Sequence, residues 1–159
     1  MNLADFEALF KQMYKPLYWF SYNITRDENI SKDIVQDAFL KLWDKRYFIN
    51  NYNNYLYKIV SNASIKFITK INKHISIDTI KNDHHFTNNN NYDNIETDAI
   101  IRNALDQLPP RCKTIFILSK FEQKKYSEIA EILGISIKTV ENQMCIALAI
   151  LRKKLKHLL

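Results

Sequence analysis

Residues Tyr126 to Leu155 read YSEIAEILGISIKTVENQMCIALAILRKKL, and the fold turns on this stretch. A short helical pattern from Glu128 to Leu133 meets Gly134, and Ser136 then opens a second, longer helix. That is the sequence form of a helix-turn-helix, a motif that places its second helix in the DNA major groove. Ala130 is small where two helices must approach closely. Gly134, the single glycine of the chain, falls where the turn needs a positive φ. Ile129, Leu133, Ile135 and Val140 are the expected core between the two helices, and Ser136 is a favourable N-cap. A plain helical hairpin with a glycine stop would show the same local pattern, so the motif needs support from the rest of the chain.

Composition supplies some of it. A length of 159 residues allows one domain or two small ones. With 47% hydrophobic residues, one glycine and three prolines, the chain is rich in helix formers and poor in turn material for a β-fold. The net charge of +6 favours an acidic partner such as nucleic acid, although solubility alone would also account for it. Cys112 and Cys145 are far apart without CxxC spacing, which reads as two reduced cytosolic thiols rather than a disulfide or metal site. No apolar run is long enough to span a bilayer. The opening MNLADFEALF lacks a basic region followed by an apolar core, so it does not read as a signal peptide.

Charge divides the chain. Residues 1–70 carry net +3, residues 98–159 net +5, and residues 71–97 net −2. The middle stretch contains His84-His85 and then Asn88 to Asn91, without helical periodicity. It reads as a polar linker between two basic helical domains. The His pair has no surrounding ligand set, so no metal is expected there.

The first domain reads as three helical segments. Residues 3–23 are apolar-periodic, with Pro16 expected to kink or break them. Residues 29–45, NISKDIVQDAFLKLWDK, place Ile34, Val35, Ala38, Phe39 and Leu42 on one half of a helical wheel. Asp33, Gln36, Asp37, Leu40 and Asp44 fall on the other half, with Trp43 at the seam. This mixture of acids, Gln, Leu and a border Trp reads either as a solvated face with a stray Leu or, more sharply, as a docking stripe for a basic protein helix. The third segment, about Tyr52 to Thr69, has Leu56, Val60, Ala63 and Phe67 as its core stripe and Tyr55, Lys58, Asn62, Lys66 and Thr69 opposite. The Asn- and Tyr-rich loop Asn50 to Tyr55 precedes that cationic face. Lys can hold phosphate, Asn can capture a base edge, and Tyr can stack on an unpaired base.

Taken together, DIVQDAFLKLW (Asp33 to Trp43) and YLYKIVSNASIKFI (Tyr55 to Ile68) resemble the region-2 domain of bacterial extracytoplasmic-function sigma factors. ALDQLPPRCKTIFILSKFEQKKYSEIAEILGISIKTVENQ (Ala104 to Gln143) resembles their region-4 domain. The Leu108-Pro109 break, the acidic-aromatic helix face and the helix-turn-helix occur in that family's order. The Asn- and Ile-rich flavour resembles such factors from Bacteroidota-like bacteria.

The resemblance implies an all-α protein of two small helical domains: region 2 over 1–70, a flexible linker over 71–97, and region 4 over 98–159. It implies a cytoplasmic protein that binds RNA polymerase core, recognises a promoter and opens it. Asp33, Gln36, Asp37, Leu40 and Trp43 would dock on the coiled coil of the β′ subunit. Asn50, Asn53, Asn54, Tyr55, Lys58, Asn62 and Lys66 would contact the −10 element and the displaced single strand. Ser136, Lys138, Thr139, Glu141, Asn142, Gln143 and Lys153 would meet the double-stranded −35 element, while region 4 also touches the β-subunit flap. An anti-sigma factor is a further partner of this kind. No cofactor, metal or catalytic residue is implied, and the residues themselves contain no nucleophile–base constellation, phosphate-binding glycine loop or paired catalytic carboxylates.

One departure concerns the last helix. The family usually carries several Arg residues after the position of Val140, and here Glu141 to Ala147 supply none. With Ile137, Val140, Met144, Leu148, Leu151 and Leu155 as the expected core stripe, Ile146 and Ile150 are left facing outward, suited to another protein surface. Phosphate contacts would then lean on Lys138, Arg152, Lys153, Lys154 and Lys156. Two other functions stay open on sequence grounds: a helix-turn-helix regulator that acts without polymerase, and a sigma-like antagonist that sequesters a protein partner.

Overall fold

The computed structural model describes residues 1–75 and 95–156. Among these residues the chain forms seven α-helices: α1 (Leu3–Thr25), α2 (Glu28–Lys45), α3 (Tyr52–Ile75), α4 (Ile95–Asp106), α5 (Pro110–Lys120), α6 (Tyr126–Leu133) and α7 (Ile137–Lys154). A single 3-10 turn, Arg46–Phe48, follows α2, and there is no strand among the described residues. The all-α, two-part architecture is the one expected. His84-His85 and Asn88 to Asn91 lie outside the described residues.

Helices α1, α2 and α3 pack into a three-helix bundle around Leu17, Phe20, Ile24, Val35, Ala38, Leu42, Leu56 and Val60, all essentially inaccessible to solvent. The α1–α2 corner is tied by polar side chains. The Thr25 and Ser31 hydroxyls share a buried hydrogen bond of 2.8 Å, and the Asp27 carboxylate accepts from Ile30 N at 2.9 Å as the α2 N-cap. Contrary to the expected kink, α1 runs unbroken through Pro16. Pro16 and Gln12 are both exposed, so the Gln12 carbonyl that proline leaves without its helical partner can be solvated. Helix α3 continues to Ile75, beyond the Thr69 end read from periodicity and into the stretch taken as linker.

In the second part, α6 and α7 form the helix-turn-helix. Gly134 has φ 64°, and its N–H donates to the Ala130 carbonyl as the left-handed cap that ends α6. Ser136 Oγ accepts from Thr139 N at 3.0 Å and starts α7. Ile129 and Val140 are buried as expected. Ile132 is the further core residue, while Leu133 and Ile135 are only half-buried. The stripe of α7 is shifted from the expectation: Val140, Met144, Ala147 and Leu151 are buried, whereas Ile137 is 48% exposed. Helix α4 packs on α7 and builds a second small core from Ala104, Leu105, Leu108, Cys112, Ala147 and Leu151.

The two parts are joined through one continuous apolar core. Helix α3 packs against α1 and α2, and also against α5 and α6. Ile115, Ile117, Leu118, Ile129 and Ile132 therefore belong to the same buried cluster as Leu17 and Leu56. Tyr57, Ser61 and Ser64 are buried although the wheel of α3 read alone leaves them unassigned, and for Tyr57 the second part supplies contacts. Ser64 shares a 2.9 Å hydrogen bond with Ser21 of α1. The Tyr57 hydroxyl donates to Glu122 Oε2 at 2.6 Å, and Lys124 Nζ lies 4.7 Å from the centre of the Tyr57 ring. Burial, then the bond to Glu122 and its charge, push the Tyr57 phenol well above its usual range, so it stays a donor.

A charged knot closes the other end of the contact. Asp106 Oδ1 accepts from Arg26 Nε at 3.1 Å and from Lys113 Nζ at 2.7 Å, and Lys113 Nζ also donates to the Ile24 carbonyl at 3.2 Å. Desolvation lowers the pKa of Lys113, and Asp106 opposes that shift. Arg26, the C-cap of α1, and Lys113, bound to the Ile24 carbonyl, both put positive charge where the helix dipole favours it. Removing one partner of a buried pair typically costs about 3–5 kcal/mol. Because Asp106 is partly solvated, Asp106→Ala is expected to destabilise the protein by about 2 kcal/mol, read from urea unfolding; a change below about 0.5 kcal/mol would mean the knot contributes nothing.

Candidate nucleic-acid and partner interfaces

Three surfaces carry the residues singled out by sequence. The first is the outer face of α2. Asp33, Gln36, Asp37 and Leu40 are exposed, Leu40 by 66%, while Trp43 is half-buried at the edge. The Trp43 ring packs edge-on against Phe6 of α1 at 4.9 Å, which anchors the apolar end of the stripe to the bundle. Asp37 pairs with Lys41 at 2.7 Å one helical turn away, a solvent-exposed pair that an incoming cation can replace at little cost. The result is an acidic stripe with a projecting leucine, complementary to a basic amphipathic helix.

The second surface is the loop before α3 and the first turns of that helix. Asn50, Asn51, Asn53, Lys58, Asn62 and Lys66 are exposed, and Asn54 and Tyr55 are half-buried. Asn51 Oδ1 accepts from Asn54 N at 3.0 Å, so Asn51 orders the helix start and leaves its neighbours to face outward. Two aromatic residues here escaped the sequence reading. Tyr47 and Phe48 are 74% and 88% exposed on the 3-10 turn. The sequence signal for them is two consecutive aromatics just beyond the amphipathic stripe of α2. This loop and Lys58 share a cleft with Glu131 and Ile132 of α6, so the second part of the molecule partly covers the surface.

The third surface is the start of α7. Lys138, Glu141 and Asn142 are exposed, and Thr139 and Gln143 are half-buried. The Ser136 and Thr139 hydroxyls share a 2.8 Å hydrogen bond in addition to the cap, so both help to hold the helix start. Lys138 approaches Glu141 at 3.7 Å. Lys153 is exposed, but fifteen residues beyond Lys138 it stands about 22 Å further along the axis, apart from the other six. Ile146 is 45% exposed, whereas Ile150 is half-buried against the second core under α4. The expectation of two outward isoleucines is thus corrected to one, because α4 covers the other.

The described residues contain no group of three or more His, Cys, Asp or Glu able to hold a metal. Cys112 is buried, which raises its thiol pKa, and its Sγ lies 3.3 Å from the Gln143 carbonyl oxygen; Cys145 is exposed. No described helix is long and apolar enough to cross a membrane.

The chain as a whole has relatives among known proteins. Residues 9–74 match the family described as sigma-70 region 2, and residues 98–151 match sigma-70 region 4. The chain is 32% identical over 143 residues to the RNA polymerase sigma factor SigV of Bacillus subtilis (strain 168), covering 87% of this chain and 83% of SigV. It is 20% identical over 150 residues to the ECF RNA polymerase sigma factor SigE of Mycolicibacterium smegmatis, covering 89% of this chain and 58% of SigE. In fold it is similar to the sigma factor RpoE, solved in complex with the anti-sigma factor NepR from Bartonella quintana. That likeness has a TM-score of 0.73 at 21% identity, over 97% of this chain and 98% of RpoE. The chain belongs to the sigma-70 family of RNA polymerase sigma factors, in the extracytoplasmic-function group.

The scarcity of cations on the outer face of α7 can be tested directly. Ile146→Arg is expected to raise nonspecific duplex affinity and to steepen the slope of log K against log salt by about one, the effect of one added phosphate contact. An unchanged slope in a salt titration would place Ile146 away from the duplex.

Proposed function

We infer that the chain docks on RNA polymerase core through the outer face of α2, opens a promoter with the 46–55 loop and the α3 face, and contacts upstream duplex with α7. The observation that carries this reading is the exposed acidic stripe from Asp33 to Leu40. It lies on the same three-helix bundle as a protruding aromatic loop, with a helix-turn-helix on the other part of the chain. A regulator that merely held duplex DNA would have no use for that stripe. The β′ coiled coil is the proposed receptor for α2, and the β flap the proposed neighbour of region 4. Nucleotide chemistry then resides in the polymerase, which requires no catalytic group or cofactor of this chain and places its work in the cytoplasm. The exposed Ile146 favours a second protein contact on α7, for which an anti-sigma factor is the natural candidate.

The closed arrangement is a resting form in this account. Elements centred near −10 and −35 lie about 25 base pairs apart, roughly 85 Å along B-DNA at 3.4 Å per pair. A compact body of 159 residues has a radius of gyration of about 15 Å, hence a diameter near 40 Å. Two parts that share one core cannot reach both elements, so α5 and α6 must leave α3 when promoter is engaged. Departure of α6 also uncovers the cleft beside Asn54 and Lys58. Region 4 thereby guards the −10 surface until polymerase and DNA offer better contacts.

Asp37→Arg combined with Leu40→Ala tests the docking face. Both side chains project from the exposed side of α2, so helical circular dichroism is expected to match the parent. Affinity for core polymerase is expected to fall by about 2–5 kcal/mol, as for charge reversal and loss of an anchor at an interface. Parent-like core binding by the folded double variant would refute the docking face.

A further inference from the structure

We propose that Arg46 is a positioning residue that holds Tyr47 in its DNA-facing posture and couples that posture to polymerase docking through Trp43. This rests on the reading of α2 as the docking helix and of the loop as the opening element. The geometry is unusual for an arginine next to solvent. The Arg46 guanidinium carbon lies 3.8 Å from the centre of the Trp43 ring and 4.4 Å from the centre of the Tyr47 ring. Its Nη1 donates to the Trp43 carbonyl at 2.6 Å and its Nη2 to the Tyr47 hydroxyl at 3.1 Å. Its Nε is buried without a hydrogen-bond partner. The side chain is therefore held by two ring faces and two hydrogen bonds at the cost of an unmet donor. No carboxylate is paired with it among the described residues.

The two rings have different duties. Trp43 is fixed on Phe6 and forms the edge of the stripe that carries Leu40 three residues earlier. A helix laid across that stripe would cover the remaining exposed part of Trp43. Tyr47 is largely exposed at the head of the loop, with Phe48 beside it. Arg46 touches both rings and so links the docking face to the opening loop. A cation over an aromatic face gains strength as water is excluded from it. Docking on Trp43 thus tightens the Arg46 stack, the tightened stack narrows the positions open to Tyr47, and a fixed aromatic loses less freedom when a base stacks on it. The coupling is reciprocal, because whatever orders Tyr47 also strengthens the stack on Trp43.

Arg46→Lys keeps the charge and removes the planar stack and the fork of donors. Tyr47→Phe loosens the clamp at its other end, removing the hydroxyl that accepts from Arg46 Nη2 while keeping the ring on which a base would stack. Both variants are made in the full chain and assayed with core polymerase. Each is expected to unfold within a few degrees of the parent and to bind core within about twofold. On duplex promoter, permanganate reactivity should appear at least tenfold more slowly than with the parent; on a pre-melted bubble it should match the parent. Parent-like opening of duplex by both variants would overturn the proposal. So would an equal defect on the bubble, which assigns the residues to strand holding alone, or a loss of core affinity as large as the loss of opening, which makes Arg46 part of the dock. If the parent chain binds core but opens no promoter, the reading of the loop fails, and the role of Arg46 falls with it.

Discussion

Helix α3 is covered on two flanks, by α1 and α2 on one and by α5 and α6 on the other, and what the α3 face can offer follows from that double coverage. The helix contributes Leu56 and Val60 to its own bundle and Tyr57 to the contact with Glu122. Its remaining exposed strip, with Lys58, Asn62 and Lys66, is what it can offer to DNA. In the closed form part of even that strip faces Glu131 and Ile132 across a cleft. A carboxylate opposite a lysine and a row of asparagines occupies the kind of position a phosphate would take. The same contact that completes the core therefore competes with the DNA-binding role proposed for α3.

The polar contacts between the two parts suit an interface that must open. A wholly apolar seam would be costly to separate, since each fully buried Leu or Ile contributes about 1.5–3 kcal/mol. Here the apolar seam is edged by groups that water can satisfy once the parts separate. Asp106 and Glu122 are already partly solvated, and Lys113 would regain the hydration whose loss depresses its pKa. Separation thus returns part of its cost as hydration of charged groups. The stripe on α2 lies on the outer side of the bundle, so the docking face proposed for polymerase is open before the parts come apart.

Local patterns announced much of the fold. The wheel of α2, with Val35, Ala38, Phe39 and Leu42 inward and Asp37 and Leu40 outward, was legible because one face of an amphipathic helix is enough to orient it. Gly134 and Ser136 were legible because turn and cap chemistry depend on few atoms. What sequence could not reveal depends on packing between distant segments. Ile132 and Tyr57 are buried where two parts of the chain meet, and no single wheel contains that information. The wheel of α7 alone turns Ile150 outward, because α4, which shelters it, lies some fifty residues upstream. The backbone rule for proline predicts a break at Pro16, whereas the outcome depends on which side of α1 faces water. Tyr47 and Phe48 fell between two recognisable helices, and their exposure is a property of the corner those helices make.

Reaching both promoter elements requires one chain to have two arrangements, and the distance between its parts tests that most directly. Cys112 is buried and Cys145 exposed, so a Cys145→Ser chain with Lys15→Cys on α1 and Asn103→Cys on α4 would carry two spin labels at exposed positions. Pulsed electron-electron resonance on the free protein is expected to give one short distance, within the roughly 40 Å diameter of a compact body of this length. With core polymerase and promoter DNA the distribution should move outward by about 20 Å or more, as two elements some 85 Å apart demand. A distance unchanged between the free protein and the transcriptionally active promoter complex would contradict the account.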